Sequence, residues 1–363
     1  MNASSIGDVQ AGINFAREHS LRLNVKSTGH GKSSIPGSLS IWTHHFREKH
    51  FHEKFSPHGS NSTINDTQMA ITFGAGVMDQ EAFEFAAEYD AAVVGGTDST
   101  VGLVGWGAAG GHGYLTAKYG MGADSFLQAT VVTPSGNVIV ANEHQNADVF
   151  WAMRGGGAGT WGVIVSVTLK AFPMPSTTFF SLTLSAQNGS SASNFYEAVA
   201  HVLADYPRLR QNGVSGYITI SGAPLIMTNA LFVYDEPGSK IESLTKPLTN
   251  WLAARNSTVS VTAQAAPTIP RWIDFFHQFN LTESVGGGST ALSASRLLPT
   301  KSLTDVDSIA EFLEVHGPSP NEPEVRRIRL SIVSKHADTS PSIDQNPLRP
   351  LHFWYRNRQP QTR

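Results

Sequence analysis

Residues 93–122 contain ten glycines, a density that disfavours regular helix or strand and lets the backbone turn tightly or approach a ligand closely. A flexible linker is the alternative interpretation. However, the stretch is poor in the serine, proline and charge of linkers, and it holds apolar residues such as Val104 and Trp106. We call 93–122 the glycine bed and interpret it as backbone against which a flat ligand lies.

Composition limits the class of protein. With 363 residues, 40% of them hydrophobic, the chain is long enough for two domains with a sizeable core. A net charge of −3 without a long basic run argues against nucleic-acid and anionic-membrane partners, so a small molecule is the expected partner. The oligomeric state cannot be read from the sequence.

Several sequence signals bear on the compartment. No apolar run reaches the roughly 18 residues of a membrane span, and the N-terminus lacks a signal-peptide pattern, so we expect a cytoplasmic protein. The absence of cysteine excludes disulfides, thiolate metal sites and cysteinyl cofactor links within the chain. Asn-x-Ser/Thr sequons hint instead at a secretory ancestry; they begin at Asn2, Asn61, Asn65, Asn188, Asn256 and Asn280.

The N-terminal segment predicts a helix, a strand and a loop. Ser5 and Asp8 form a capping pattern that predicts a helix from about residue 6, and 21–26 alternates as a strand. The loop 27–34 resembles a phosphate-binding P-loop, but its first glycine is missing and no helix pattern follows. We reject a nucleotide triphosphatase, although backbone amides and Lys32 of this loop suit a pyrophosphate. His30 is its one residue with acid–base chemistry, and a solvated side chain is the alternative.

Two further patterns are set aside. Residues 44–58 are polar and rich in histidine, but the spacing matches no zinc-ligand pattern, so we predict a solvated loop and no metal site. Gly157, Gly159 and Gly162 match G-x-G-x-x-G formally. The predicted order there is helix, turn, strand, whereas a dinucleotide fingerprint needs strand, turn, helix. We interpret this stretch as a chain reversal that lines a ligand.

Helices and strands alternate before residue 173, where Pro173 and Pro175 predict a domain boundary. Beyond it, the apolar periodicity predicts an antiparallel sheet backed by helices over 175–340. Tyr217, Tyr234 and Arg296 are candidate polar contacts on this sheet, although ordinary structural roles are the more common use of such residues.

Six blocks along the chain form a recognisable set: 25–30 (VKSTGH), 37–44 (GSLSIWTH), 95–102 (GGTDSTVG), 110–113 (GGHG), 118–124 (KYGMGAD) and 148–157 (DVFWAMRGGG). In this order they resemble one family, the FAD-linked oxidases with a vanillyl-alcohol-oxidase or berberine-bridge-enzyme-like (PCMH-type) flavin domain, especially the fungal branch. The resemblance covers most of 5–335.

The resemblance implies roles for individual residues. His30 matches the histidine that links covalently to the flavin 8α-methyl group, and Asp98 stands where many members carry a second, cysteinyl link. Val101 matches the position that gates oxygen access and is of the oxidase type. His112 stands on the substrate side, where it is either the base that takes the substrate proton or a residue that holds a glycine turn.

The same resemblance implies a wider FAD-binding set. Its members are Thr28, Gly29, His30, Gly31, Lys32, Ser33, Gly95, Gly96, Thr97, Asp98, Thr100, Val101, Gly102, Gly105, Trp106, Gly110, Gly111, Gly162, Val163 and Ile164.

The chain departs from the family at three places. His30 is followed directly by Gly31-Lys32-Ser33, whereas relatives have a longer loop there. The shorter loop is expected to hinder FAD loading. The chain starts inside the first flavin lobe, and 341–363 is basic and unlike the family's C-terminal segment. We therefore expect a truncated gene product.

These observations predict an α+β protein with two domains and an atypical tail. Residues 1–174 are expected to form the two-lobed PCMH-type FAD-binding domain, incomplete at its N-terminus, 175–340 the substrate domain that covers the flavin, and 341–363 the tail. The expected activity is hydride transfer from an alcohol or amine carbon to FAD and then to O2. A non-covalent FAD dehydrogenase and a flavin-free remnant are the alternatives, and the substrate is left open.

Overall fold

The structure is a computed structural model of the chain. It describes residues 1–31, 36–60, 68–222, 224–279, 292–320, 326–332 and 351–357. The chain forms two compact units. The first unit comprises Met1–Met174 and Trp272–Ser289, and the second comprises Pro175–Arg271 and Thr290–Arg363.

The helices and strands follow in chain order. The helices are α1 (Ile6–Glu18), α2 (Asp79–Ala87), α3 (Leu103–Ala108), α4 (Thr116–Tyr119), α5 (Gly122–Ser125), α6 (Ala147–Met153), α7 (Ala192–Gln211), α8 (Gly238–Ala253), α9 (Trp272–Phe279) and α10 (Val306–His316). The strands are β1 (Arg22–Lys26), β2 (Ser38–Trp42), β3 (Lys49–Phe55), β4 (Gln68–Gly74), β5 (Ala91–Val93), β6 (Phe126–Val132), β7 (Val138–Asn142), β8 (Val163–Pro173), β9 (Thr177–Ala186), β10 (Ser215–Ser221), β11 (Ile226–Tyr234), β12 (Val259–Ala265), β13 (Leu292–Leu298), β14 (Arg326–Ile332) and β15 (Leu351–Asn357).

Helix α1 begins at the predicted capping box. The Ser5 hydroxyl accepts the Asp8 N–H at 3.1 Å, and the Asp8 carboxylate accepts the Ser5 N–H at 2.9 Å. This arrangement satisfies two of the N–H groups that a helix start leaves without partners. The helix then buries Val9, Ile13 and Ala16, as its apolar spacing requires.

Two sheets form the first unit. Strands β1 and β2 pair in parallel, and a six-stranded sheet has the order β3-β4-β8-β6-β7 with β5 paired to the end of β8. Strand β8 is central because it pairs with β4, β6 and β5, and most of its residues are buried. Its β-branched composition suits that position, since such residues pack well on a pleated surface.

The second unit is a seven-stranded antiparallel sheet in the order β12-β9-β11-β10-β14-β15-β13. Its apolar core joins strand residues such as Leu182 and Leu184 to helix residues such as Val199, Leu203 and Leu252. The predicted fold class, α+β with an antiparallel sheet backed by helices, is confirmed.

The predictions for two segments were wrong. Residues 49–55, expected within a solvated loop, form the edge strand β3, whose polar pattern arises because it pairs on one side with β4 alone. The glycine bed contains α3 despite Gly105 and Gly107, because burial of Leu103, Val104 and Ala108 outweighs the weak helix propensity of glycine.

The unit boundaries also differ from the continuous ranges expected for 175–340 and 341–363. The chain changes unit between Met174 and Pro175, but Trp272–Ser289 belong to the first unit. Strand β15, within the expected tail, pairs with both β13 and β14. Local sequence patterns could not indicate the placement of Trp272–Ser289 or the pairing of β15, because each depends on residues far away in the chain.

No helix in the described part of the chain is long and apolar enough to cross a bilayer.

Helix α9 contributes to an aromatic cluster in the first unit. The rings of Trp272 and Phe276 lie 4.8 Å and 4.9 Å from the ring of Phe83 on α2, both edge-on. All three side chains are at most 2% exposed. A Cβ at Gly95 would clash with the Phe83 ring, so this cluster lies directly behind the glycine bed.

We expect Phe276→Ala to lower the free energy of unfolding of the first unit by about 3–5 kcal/mol, the usual cost of truncating a buried aromatic residue. Chemical denaturation followed by tryptophan fluorescence measures the effect. Gln278→Ala, an exposed position on the same helix, is the matched control and should change stability by less than about 0.5 kcal/mol. Equal stability of the two variants would show that α9 does not support this cluster.

Candidate functional site

A buried acid holds the start of the glycine bed. Asp79, the first residue of α2, is completely inaccessible to solvent, and its Oδ2 accepts the Gly96 N–H at 2.7 Å. Its Oδ1 has no hydrogen-bond partner among the described residues. Burial raises the pKa of Asp79 well above its usual value, the Gly96 amide opposes this rise, and the negative charge of Asp98 adds to it. The site therefore favours the neutral acid at position 79.

Main-chain bonds fix the rest of this loop to the start of α2. The Asp79 N–H donates to the Val101 carbonyl at 2.9 Å, and the Gln80 N–H donates to the Ser99 carbonyl at 3.1 Å. Met78 and Gly102 form a β-bridge. Residues 96–102 are thus held at several points by one helix terminus, whose N–H groups would otherwise lack partners.

The loop brings His30 to Asp98 and Thr100. His30 Nε2 lies 2.8 Å from the Thr100 hydroxyl and 3.8 Å from Asp98 Oδ1. The Thr100 hydroxyl donates to Asp98 Oδ1 at 2.8 Å, and the same oxygen accepts the Thr100 N–H at 2.9 Å. Two stretches that are 70 residues apart in sequence therefore meet through side chains of the predicted set.

The far end of the glycine bed packs against its beginning. A Cβ at Gly113 would clash with the Gly95 carbonyl oxygen, so only glycine permits this approach. Trp106 Nε1 donates to the His112 carbonyl at 3.0 Å, and its ring packs against Gly111. The bond that holds this turn uses the main chain of His112, and the half-buried imidazole is not needed for it.

Three predicted glycines border open space. Apart from the glycine's own chain neighbours and, for Gly105, the backbone of α3, no described atom lies within 4 Å of where a Cβ would be at Gly29, Gly105 or Gly110. Side chains at these positions would occupy that space, so their absence leaves backbone accessible to a large flat group. Thr28 and Gly29 precede His30, and Gly102 packs against Ser27 and Thr28, which joins this loop to the glycine bed.

Other predicted residues have mixed placements. Val163 and Ile164 are buried in β8, opposite Val132 and Val131, so their side chains belong to the core and only their backbone remains for a ligand. Gly162 precedes them at a φ of 148°. The Gly31 carbonyl accepts a hydrogen bond from Lys26 Nζ at 2.8 Å. Thr97, which follows Gly96 in the glycine bed, is half-buried. Lys32 and Ser33 lie outside the described residues.

The histidine-rich segment 44–58 has packing and hydrogen-bonding roles. The ring of His44 stacks on that of Trp42 at 4.8 Å, and His52 Nε2 lies 2.9 Å from the Thr72 hydroxyl. Burial is the main cause that lowers the pKa of both imidazoles. Across the described ranges, no group of three His, Asp or Glu side chains is placed to hold a metal ion.

Sequence reasoning missed Asp79. An acidic residue in the first turn of a helix is ordinarily explained by capping and the helix dipole, so its type and position gave no sign of complete burial. The one available signal was its place in a helix that leads, through β5, into the glycine bed.

Comparison with known proteins gives this geometry a context. Residues 1–142 match a family described as FAD binding domain. The chain is 34% identical to the FAD-linked oxidoreductase easE of Arthroderma benhamiae over 74% of this chain and 54% of that protein. It is 32% identical to the FAD-linked oxidoreductase OXR2 of Pyricularia oryzae over 81% of this chain and 48% of that protein. The chain spans about half the length of the curated relatives it matches.

Solved structures show the same fold. The VAO-type flavoprotein MtVAO713 from Myceliophthora thermophila C1 matches with a TM-score of 0.86 and 27% identity, over 97% of this chain and 65% of that chain. A chitooligosaccharide oxidase matches with a TM-score of 0.70 and 20% identity, over 98% of this chain and 74% of that chain. At that lower identity the likeness concerns the fold alone.

The raised pKa of Asp79 predicts a pH-dependent stability. Between the pKa of the unfolded chain, near 3.8, and the higher folded value, the unfolded state releases a proton that the folded state retains, so stability falls as pH rises. Asp79→Asn keeps an acceptor for Gly96 without a titrating group. We expect its Tm to exceed that of the parent by at least about 2 °C at pH 8, with the difference closing towards pH 4.

Thermal unfolding across this pH range measures the effect. Asp274→Asn is the matched control, since Asp274 is exposed on α9 in the same unit, and it should follow the parent at every pH. An Asp79→Asn variant less stable than the parent at pH 8 would mean that Asp79 is an ionised residue required for folding.

Proposed function

Since the chain belongs to the fungal branch of the vanillyl-alcohol-oxidase and berberine-bridge-enzyme-like family, whose cofactor is FAD, we propose that it is an FAD-dependent oxidoreductase. Its proposed substrate is a small molecule with an oxidisable alcohol or amine carbon, and its proposed electron acceptor is O2. The observation that carries the proposal is the contact of the His30 loop with a glycine bed that Asp79 anchors at Gly96.

The residues present fit FAD. The backbone open at Gly29, Gly105 and Gly110 suits an elongated cofactor with a flat ring, since no side chain there would obstruct it. When bound, FAD supplies the acceptor for a hydride from the substrate carbon and passes the electrons onward.

His30 is the proposed attachment residue. Its side chain is 26% exposed, and its Nε2 lies 2.8 Å from the Thr100 hydroxyl. Because the chain contains no cysteine, a histidyl link is the only covalent one of the family's two kinds that this chain can form. A single link is expected to leave a lower flavin potential than a double one.

Val101 and His112 have proposed roles on the reacting side. Val101 is half-buried and follows Thr100 in the chain. Its small side chain supports access of O2 at this position. His112 is the proposed base that accepts the substrate proton, because imidazole is the side chain that most often serves as a general base. The names of the relatives, which include FAD-linked oxidoreductases and an aurantioclavine synthase of Penicillium expansum, support secondary metabolism as the setting.

Acid precipitation tests covalent attachment of FAD through His30. We expect purified protein to show a flavin absorbance spectrum and to retain the yellow colour in the pellet after acid precipitation, because a covalent bond survives denaturation. His30→Ala should move all the flavin to the supernatant, whereas His144→Ala, at an exposed position, should leave it in the pellet.

The other outcomes separate the alternatives. Flavin in the supernatant of the parent protein would favour a non-covalent FAD enzyme, and reduction that is insensitive to oxygen would make it a dehydrogenase. Protein that remains colourless after incubation with FAD would support a non-catalytic remnant of the family and contradict the proposal.

Replacement of His112 tests its proposed role as the base. His112→Ala is expected to lower turnover by about 10²–10⁴-fold, the usual contribution of a positioned general base, without changing the flavin content. The Trp106 bond should persist, since alanine supplies the same carbonyl. Steady-state turnover with an oxidisable substrate, measured as H2O2 release, checks this, and full activity in the variant would place the base elsewhere.

A further inference from the structure

Two of the Asn-x-Ser/Thr sequons lie in turns of the second unit. Residues 188–190 (NGS) follow β9, and residues 256–258 (NST) follow α8. Both asparagines are exposed, and neither sequon has proline at its middle position, which would block modification. Both positions therefore have the acceptor pattern and the surface placement of a glycosylation site. The sequons at Asn61, Asn65 and Asn280 lie outside the described residues.

Asn188 stands at the tip of a tight turn. The Ser190 N–H and hydroxyl donate to the Gln187 carbonyl at 3.1 Å and 2.8 Å, and Gly189 supplies a φ of 82°. These bonds close the turn without the Asn188 carboxamide, which makes no hydrogen bond to any residue that the structure describes. A glycan on Asn188 would therefore break no native contact of that side chain.

Asn256 lies in the turn between α8 and β12. The Arg255 carbonyl closes this turn by accepting the Thr258 N–H at 3.0 Å and the Thr258 hydroxyl at 3.1 Å. Gln187 joins the two turns, since its Nε2 donates to the Asn256 carbonyl at 3.0 Å and its N–H donates to the Thr258 carbonyl at 3.2 Å. The carboxamide of Asn256 makes no hydrogen bond within the described part of the chain. The two sequons are thus neighbours at one end of the sheet.

The strand that follows this turn, β12, is an edge of the seven-stranded sheet. Among the described strands it pairs with β9 alone, so one row of its main-chain N–H and C=O groups faces no strand. Proteins commonly protect such an edge from pairing with another chain by placing charge or proline on it. The sequence of β12, VSVTAQA, contains neither. Its edge is therefore open to pairing unless something else covers it.

We propose that Asn188 and Asn256 carry N-linked glycans, and that these glycans cover the open edge of β12 so that copies of the chain do not pair along it. Asn256 lines a groove between α8 and β12 together with Ala253 and Val261, so its glycan would stand directly beside this strand. N-linked glycans are bulky and strongly hydrated, which makes them suited to excluding a second chain. The inference does not depend on the proposed oxidoreductase activity.

The modification is a glycosyl transfer to the carboxamide nitrogen. This nitrogen forms a C–N bond to the anomeric carbon of an oligosaccharide carried on a polyprenyl diphosphate. The bond from that carbon to the phosphate oxygen breaks, the polyprenyl diphosphate leaves, and the nitrogen loses one proton. The oligosaccharyltransferase that catalyses this transfer acts in the lumen of the secretory pathway. The proposal therefore takes the chain through that lumen, in place of the cytoplasmic location expected from the sequence.

Site mapping tests the modification. Protein isolated from its native source is treated with peptide-N-glycosidase in H2¹⁸O, and its peptides are analysed by mass spectrometry. We expect Asn188 and Asn256 to be converted to ¹⁸O-labelled aspartate, whereas Asn250, which is exposed but lies in no sequon, should stay unlabelled. Native protein without label at Asn188 and Asn256 would overturn the proposal.

Variants produced in the same organism test each site separately. Asn188→Gln and Asn256→Gln should each lose one glycan, seen as a step in electrophoretic mobility. Thr258→Val should lose the same glycan as Asn256→Gln, whereas Thr258→Ser keeps the acceptor pattern and should retain it. Asn250→Gln is the matched control and should migrate like the parent. A glycan that persists in Thr258→Val would contradict its assignment to Asn256.

Removal of the glycans tests the covering of β12. Enzymatic deglycosylation of the folded protein avoids any effect on folding, and we expect it to cause a several-fold loss of monomer on concentration, measured by size-exclusion chromatography with light scattering. Thr262→Lys places a charge on the exposed edge strand and should prevent this loss. Deglycosylated protein that stays monomeric, or a loss of monomer that Thr262→Lys does not reduce, would overturn the covering role.

Discussion

The bond between the buried Asp79 carboxyl group and the Gly96 amide is the contact on which the arrangement of the site depends. It fixes the point where β5 becomes the glycine bed, and the main-chain bonds at the start of α2 extend this control to Val101. Burying an acid without a countercharge is costly, and the cost is limited when the group stays neutral. The stability of the site is therefore expected to depend on the protonation of Asp79, whose pKa is raised by burial.

The loop that Asp79 anchors also positions the side chains that can take part in chemistry. Asp98 and Thr100 lie in the pinned loop, and His30 reaches them from a separate loop, so the position of the imidazole is determined by α2, by β1 and by the glycine bed together. Glycine serves two purposes here. At Gly113 it allows two backbone segments to touch, and at Gly105 it leaves room for a ligand.

Local signals in the sequence predicted local structure well. The capping box of α1 and the β-branched run of β8 have short-range causes, and both elements form where expected. Strand β3 was misread because an edge strand can be polar on both faces, and β15 because its partners β13 and β14 lie far away in sequence. At the site, the family resemblance brought His30 and Asp98 forward, whereas Asp79 stayed hidden because burial is a property of the whole fold.

The return of α9 to the first unit has a consequence for synthesis. Phe83 needs the rings of Trp272 and Phe276, yet the ribosome makes Pro175–Arg271 of the second unit before it reaches them. The first unit must wait with an uncovered aromatic surface behind the glycine bed, while the second waits in turn for β13 and β15. Neither unit can complete its packing as an independent N-terminal or C-terminal block, and exposed apolar surface of this kind favours aggregation.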